Sequence, residues 1–418
     1  MRSYLNTKAV PTSATLRNHS GGSNGRVAPS ERRSTHTSSR TKGKFRYLLV
    51  GLGIDMPFMI LVLVLLAIGI LMMFSASYPF AYAQENDSYY YLKRQCIFAV
   101  IGIAAMIGLS YLNYHVFYRF AKIFLVASYV ALVLVLCVPS AMGVHRWITI
   151  GPINFQASEV SKFCVIVFMA YVATKNADKM QYLRYGFMPG MVLFVTTAGL
   201  LFLEPHYSCI VIMFLLVLVM LWLGGMPGKY FLAILIGAAV IFVIALSTGM
   251  LGYAMKRMDG WGQALIYTDE QTWQDTWQTR NSLYAIGSGG VWGLGLGNSR
   301  QKYLYIPEPQ NDFVFAIVCE ELGLIGAIAI LILFALLVWR GIYISQRCSD
   351  AFGKLLGCGL SAQIGLQVIL NVLVITDWLP NTGISLPFFS YGGTSLIILL
   401  AQMGVVLSIS RRSRMEKV

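Results

Sequence analysis

Ten stretches of this sequence are apolar enough and long enough to cross a lipid bilayer: 55–76, 95–112, 121–138, 159–174, 187–203, 207–225, 229–247, 313–339, 355–376 and 393–410. A span needs about 20 mainly apolar residues, because the hydrocarbon core is about 30 Å thick and a helix rises about 1.5 Å per residue. Inside hydrocarbon every backbone polar group must be satisfied within the element, so runs of this length read as helices. No soluble core could absorb them: 57% of the 418 residues are hydrophobic and 12% charged, where soluble domains average about 45–50% and about 25%. The expected fold is an all-α polytopic membrane protein with about ten transmembrane helices and a large extracellular loop, 248–312, between helices 7 and 8. A soluble enzyme, a secreted disulfide scaffold and a nucleic-acid partner are excluded as the main business of such a chain.

Ten is even, so both termini fall on one side. That side collects 23 of the 32 Lys and Arg residues, and the positive-inside rule makes it the cytoplasm of a bacterial cytoplasmic membrane protein. Most of the net charge of +14 sits in residues 1–47, with ten Lys or Arg against Glu31 alone. That stretch is rich in Ser, Thr, Gly and Asn and is expected to be a disordered basic cytoplasmic tail touching anionic membrane lipid. The membrane domain then covers 48–410, and 411–418 is a short basic cytoplasmic C-terminus. Arg32-Arg33 is not a twin-arginine signal, because a full span without a small-residue cleavage site follows it.

The seven Cys are scattered, mostly within apolar segments, and read as small core side chains rather than disulfides or zinc ligands. The run 287–297, with six glycines, follows no strand of a βαβ unit, so it is not read as a dinucleotide fingerprint.

Four segments outside the spans are too long or too unusual to be plain connectors, and all fall on the outer face: 139–158, the 203–207 turn, 248–312 and 377–392. Long loops in compact proteins are usually functional. Charges within the spans point the same way. Glu159 and Lys162 stand at i and i+3 and can pair on one helix face. Intramembrane charges cost about 2.5–3.5 kcal/mol each on insertion scales, so they face protein or a wet cavity; an ion pair locking helices and a substrate-binding role are both open. Ser158 is expected to cap that helix and Asp312 the eighth. Glu320 and Glu321, being adjacent, point in different directions, so at most one lines a given cavity. Glu204 and His206 flank Pro205 in the turn between spans five and six.

The large loop carries Asp269, Glu270 and Asp275 among Trp261, Trp273 and Trp277 and the cations Lys256, Arg257 and Arg280. An aromatic face stacks on a sugar, cations neutralise phosphate and a carboxylate serves as general base. The bland alternative is a set of solvated acids beside interfacial Trp anchors.

Several stretches together resemble the SEDS family (shape, elongation, division and sporulation) of bacterial peptidoglycan glycosyltransferases. They are Arg146-Trp-Ile, Gln156-Ala-Ser-Glu-Val-Ser-Lys162, Ala285-Ile-Gly-Ser-Gly-Gly290, Gly295-Leu-Gly-Asn-Ser-Arg-Gln-Lys302, Ile306-Pro-Glu-Pro-Gln-Asn-Asp-Phe313, Glu320-Glu-Leu-Gly323 and Leu379-Pro-Asn-Thr-Gly-Ile-Ser-Leu-Pro-Phe-Phe-Ser-Tyr-Gly-Gly-Thr-Ser395. The FtsW/SpoVE branch, serving division or sporulation, is closer than RodA, which serves cell shape. The resemblance implies a lipid II polymerase that inverts the donor's anomeric carbon, using a loop carboxylate as base. It also implies a divalent cation (Mg2+ or Mn2+), a class B penicillin-binding protein transpeptidase as partner, and divisome or sporulation proteins. Carried onto this chain, the catalytic acid is Asp269 with Asp275 as alternate and Glu270 behind both. The substrate-binding set is Arg146, Glu159, Lys162, Glu204, Arg257, Arg300, Lys302 and Ser390. The metal ligands are not assigned. Ala157 replaces the family's usual Pro, and Glu204-Pro205-His206 replaces Gln-Pro-Asp. The other readings are a lipid II flippase or other precursor transporter, against which no internal repeat is seen, and a scaffold that recruits the transpeptidase.

Overall fold

The computed structural model describes residues 53–137, 147–150, 153–247, 260–267 and 269–415. The basic tail, Arg146, Lys256 and Arg257 lie outside the described residues.

Each of the ten apolar stretches forms a helix: α1 (Met56–Glu85), α2 (Tyr90–Tyr111), α3 (His115–Cys137), α4 (Ala157–Lys175), α5 (Phe187–Leu203), α6 (Tyr207–Leu223) and α7 (Gly228–Ser247), then α10 (Val314–Gln346), α11 (Ala351–Ile375) and α12 (Gly393–Met415). Seven are long and apolar enough to cross a membrane, and α5, α6 and the described part of α7 are shorter apolar helices. Two small helices, α8 (Glu270–Asp275) and α9 (Trp277–Gly289), stand in the large loop. Just before α4 the chain makes an antiparallel pair, β1 (Ile148–Ile150) with β2 (Ile153–Phe155), in the register Ile148 to Phe155 and Thr149 to Asn154. The apolar pattern gave no sign of this hairpin.

Burial sorts the bundle. Most of the span in α4, α11 and α12 is buried, whereas α2 and α3 leave most of theirs outward, where lipid can cover it. α2 runs along α12, α3 along α4 and α10 along α11.

Contacts between helix ends define two faces. On the termini face, the Asp55 carboxylate caps α1 through Phe58 N (3.1 Å) and receives both Arg340 Nε (3.0 Å) and Nη2 (2.7 Å) from α10. Bidentate Arg–carboxylate geometry of this kind fixes orientation as well as distance. Tyr114 donates to Asp350, the N-cap of α11, and Ser408 donates to Leu112 O on the same side. On the loop face, Trp261 Nε1 donates to Asp377 O (3.2 Å), Ser282 Oγ to Ile375 O (2.9 Å) and Tyr391 N to Gln310 O (2.8 Å).

α10 is broken at Gly323, whose backbone lies at φ 65° and ψ −170°. In an unbroken helix Leu324 N and Ile325 N would donate to the carbonyls of Glu320 and Glu321. Here Leu294 N (2.9 Å) and Gly295 N (3.0 Å) take those two carbonyls, while Leu324 N and Ile325 N donate to Gly290 O (2.9 Å) and Val291 O (3.2 Å). The glycine run 287–297 is therefore a backbone splint across the break, which satisfies the groups the break frees. Glycine is required there: a Cβ on Gly323 would lie 2.3 Å from Gly293 N, and one on Gly293 would lie 2.2 Å from Glu321 O.

Candidate active site

Two expected caps are replaced. α4 begins at Ala157 with Gln156 as N-cap, so Ser158 is buried inside the helix, its hydroxyl beside Cys209. The helix start is held instead by Thr394, whose hydroxyl accepts from Gln156 N (3.3 Å) and donates to Asn154 O (2.9 Å). Likewise α10 starts at Val314 with Phe313 as N-cap; Asp312 contributes its carbonyl, which accepts from Asn371 Nδ2 (2.8 Å).

Glu159 and Lys162 pair as their spacing requires, Lys162 Nζ lying 2.7 Å from Glu159 Oε1. This is the one hydrogen bond of that ammonium among the described residues. Three donors on an ammonium and four lone-pair sites on a carboxylate leave the pair with capacity to spare. Glu159 also lines a small pocket, with a cavity volume of about 20 Å³, together with Gln363 and Gln367 of α11, Ser385–Phe388, Ser390, and Ser395 and Gln402 of α12. Gln402 is buried, and neither its amide nitrogen nor its oxygen has a protein partner; Gln363 Oε1 has none either. The structure thus brings Glu159 and Ser390 to one polar pocket inside the bundle. Ser390 is fixed there by a tight turn: its Oγ accepts from Leu386 N (2.7 Å) and its carbonyl from Gln95 Nε2 (3.4 Å). Glu204 is buried in the α5–α6 turn near the same ion pair, since Cys209 lies within electrostatic range of Lys162, Glu159 and Glu204 together. Ser208 ties that turn to Thr382 O.

Lys302 is placed differently. It is fully buried, and its Nζ donates to Glu321 Oε1 (2.8 Å), Gly297 O (2.6 Å) and Ser75 Oγ (3.3 Å). All three ammonium protons are used, so the expected substrate contact is replaced by a structural tie between loop, α10 and α1. Glu320 and Glu321 converge rather than diverge. Glu320 accepts from Ser299 Oγ, Arg300 N (2.9 Å) and Gln301 N (3.3 Å), while Glu321 accepts from Ser75 Oγ (2.7 Å) and Ser299 N (3.4 Å). The break at Gly323 lets both side chains grip 299–302. Arg300, by contrast, is exposed.

The loop acids sit on α8. Asp269 is its N-cap, the carboxylate accepting from Thr272 N (2.6 Å). That backbone N–H, together with the Thr272 hydroxyl, holds Asp269 below the usual carboxylate range. Asp275 closes the same short helix and is exposed, as is Glu270. Trp273 and Trp277 are not free platforms, because Arg280 stacks 3.4 Å from the ring centre of Trp273 and 5.3 Å from that of Trp277. Gln278 joins neighbouring segments, its Nε2 donating to Pro307 O (3.3 Å) and its Oε1 accepting from Asn381 Nδ2 (2.8 Å). Asp377, whose pKa burial pushes up against bonds from Gly262 and Ala264 N–H, holds the 260–267 turn onto 377–392.

For the divalent cation that the resemblance implies, no three His, Cys, Asp or Glu side chains converge as a ligand set among the described residues. The described residues do not fit a protein cage for it, and no chemical step below is routed through it. Attention to charge alone missed Gln363, Gln367 and Gln402; the i, i+4 spacing of the first two within an apolar span was the available signal.

Comparison with known proteins supplies the family. The family of cell cycle proteins FtsW, RodA and SpoVE matches residues 56–415. Stage V sporulation protein E of Bacillus subtilis (strain 168) is 37% identical over 348 residues, 81% of this chain and 92% of that protein. A protein named Probable peptidoglycan glycosyltransferase FtsW, from Geobacter sp. (strain M18), is 35% identical over 348 residues, with 81% and 92% covered. Among solved structures, a chain concerned with structural coordination of polymerization and crosslinking by a peptidoglycan synthase complex superposes with a TM-score of 0.71 at 25% identity, covering 87% of this chain and 99% of that one. The rod shape determining protein RodA of Thermus thermophilus gives 0.62 at 26% identity, with 86% and 97% covered. With its ten apolar helices, its glycine splint and the acids of its large loop, the chain belongs to the FtsW/RodA/SpoVE family of multi-pass membrane proteins, on the FtsW/SpoVE side.

Proposed function

We propose that this chain is an inverting peptidoglycan glycosyltransferase that polymerises lipid II at the outer face of the cytoplasmic membrane, for division or sporulation. The observation that carries the reading is a polar pocket holding Glu159 and Ser390, with exposed carboxylates at Asp269 and Asp275 in the loop that covers the same face. The named activity of the FtsW relatives and the synthase complex among the structural neighbours support it.

In this reading Asp269 takes the proton of the acceptor sugar's 4-hydroxyl as that oxygen attacks the donor's anomeric carbon. One C–O bond forms on the face opposite the bond that breaks, and the leaving group is the polyprenyl pyrophosphate. The Thr272 N–H lowers the basicity of Asp269 while it is bound, so in this reading the carboxylate gives up that bond as it takes the proton. Arg300 is an exposed cation for the departing charge, and Glu159 with Lys162 offers unspent hydrogen-bonding capacity to the sugar or peptide of the substrate. Arg146 and Arg257 complete the proposed set from outside the described residues. Both termini are placed in the cytoplasm by the distribution of Lys and Arg. The partner is a class B penicillin-binding protein transpeptidase acting with divisome or sporulation proteins, which would crosslink the strands made here.

Purified protein incubated with lipid II and a divalent cation, with and without the transpeptidase, tests the reading. Glycan strands are expected from the wild type, lost in Asp269→Asn and retained in Asp275→Asn. Normal strands from both variants overturn the base assignment. A wild type that makes no strands yet moves lipid II between leaflets overturns the polymerase in favour of a transporter.

A further inference from the structure

Arg280 is the fourth residue of α9 and one of the largest fully buried side chains of the protein. Its Nη1 donates to Trp273 O (2.8 Å) and Thr276 Oγ1 (3.3 Å), and its guanidinium carbon lies 3.4 Å from the ring centre of Trp273. No carboxylate pairs with it among the described residues, and its Nη2 is buried without any acceptor. A buried charge is ordinarily paired, and a buried donor ordinarily bonded. Both lacks at one nitrogen point to an anionic acceptor that completes the site in another state of the protein.

The cover over that nitrogen is thin. α8, which lies on the guanidinium through Trp273, is six residues long and has no buried residue. Its ties are the Asp269 cap, the Thr276 hydroxyl on Thr272 O (2.8 Å), the contact of Tyr267 with Trp273 and Arg280 itself. An element with so few buried contacts opens locally at little cost. Moving it frees a planar fork that matches two oxygens of a phosphate, in the same loop as the acids.

We infer that Arg280 is a phosphate-binding residue of the outer loop, covered by α8 at rest and taking the pyrophosphate of a lipid-linked substrate when α8 shifts. The inference rests on the reading above and deepens it by naming a subsite. Because Trp273 both covers the cation and is tied to the acid-bearing helix, phosphate binding and the placement of Asp269 move together.

The test reads binding without turnover, through tryptophan fluorescence of the full-length protein in nanodiscs. The probes are a polyprenyl pyrophosphate, the phosphate-free polyprenol of equal length, and inorganic pyrophosphate as competitor. Wild type is expected to prefer the pyrophosphate by about tenfold or more, Arg280→Gln to lose most of that preference, and Arg280→Lys, which keeps the charge without the fork, to fall between. Thermal unfolding of each variant is measured alongside; if Arg280→Gln does not fold, Arg280→Lys carries the test. Undiminished preference in the folded variants overturns the inference. So does equal displacement by phosphatidylglycerol in the nanodisc, which would make the ligand an ordinary lipid headgroup. Loss of preference on substitution, in a protein that never polymerises lipid II, upholds the subsite and overturns the polymerase reading alone. Polymerisation by a wild type that shows no preference does the reverse.

Discussion

Two of the acid–lysine pairs among the described residues have a buried lysine, and they differ in how fully they are used. In Lys302–Glu321 both side chains are fully buried, every ammonium proton has an acceptor, and the carboxylate also receives Ser75 and Ser299. In Glu159–Lys162 the two charges share one hydrogen bond, Glu159 remains 13% exposed, and the carboxylate borders a pocket with an unpartnered glutamine amide beside it. A saturated buried pair can only hold the fold, because a ligand would have to break existing bonds to reach it. A half-used pair next to a pocket retains donors and acceptors for something else. Burial alone does not separate structure from function here; the accounting of hydrogen bonds does.

Breaking the saturated pair should give the largest effect. Lys302→Met strands Glu321 in the interior, and loss of one partner from a buried pair costs about 3–5 kcal/mol; the measurement is the unfolding midpoint in detergent. Next comes the splint that aims Glu320 and Glu321. Gly323→Ala forces a positive φ on a residue with a Cβ and drives that carbon into Gly293, with an expected loss of about 1–3 kcal/mol in the same assay. Glu159→Gln sharpens the comparison from the other side. It should cost about 1–2 kcal/mol or less, since the pocket can admit water to the remaining lysine, while the rate of glycan synthesis falls about tenfold or more. The smallest effect concerns Asp269. Its folded pKa is depressed, so its cap on α8 is present above the ordinary carboxylate pKa and is lost only as pH falls through the lowered value. Trp273 fluorescence should therefore show no transition between neutral pH and about pH 4.5 in the wild type; a transition there would mean that the cap is absent in solution.

The same contrast explains what could be read from the sequence. The ten helices were legible because about 20 apolar residues in a row have only one outcome in hydrocarbon, and α5 begins and ends where the apolar run does. Glu159 and Lys162 were legible as a pair because their spacing is local. Lys302 and Glu321 stand 19 residues apart, and they meet only because α10 breaks at Gly323 and the glycine run fills the break. That exchange of backbone bonds leaves no periodic trace; in sequence it looks like a nucleotide fingerprint. Ser158 and Asp312 fit the composition of a cap, but Gln156, held by Thr394, and Phe313 occupy those positions because the turns entering α4 and α10 are set by contacts from elsewhere in the bundle. The pocket glutamines were passed over because they carry no charge. The cover of Trp273 on Arg280 depends on how α8 joins α9 through Thr276, which the loop's composition does not specify.

The most direct test puts Glu321→Gln and Glu159→Gln side by side, each assayed for unfolding midpoint and for glycan polymerisation from lipid II. The expected result is a lowered midpoint for Glu321→Gln, with activity lost only as far as folded protein is lost, and a nearly unchanged midpoint for Glu159→Gln with polymerisation strongly reduced per folded molecule. A Glu159→Gln protein that polymerises at the wild-type rate, or a Glu321→Gln protein as stable as wild type but inactive, would contradict the assignment of the two pairs.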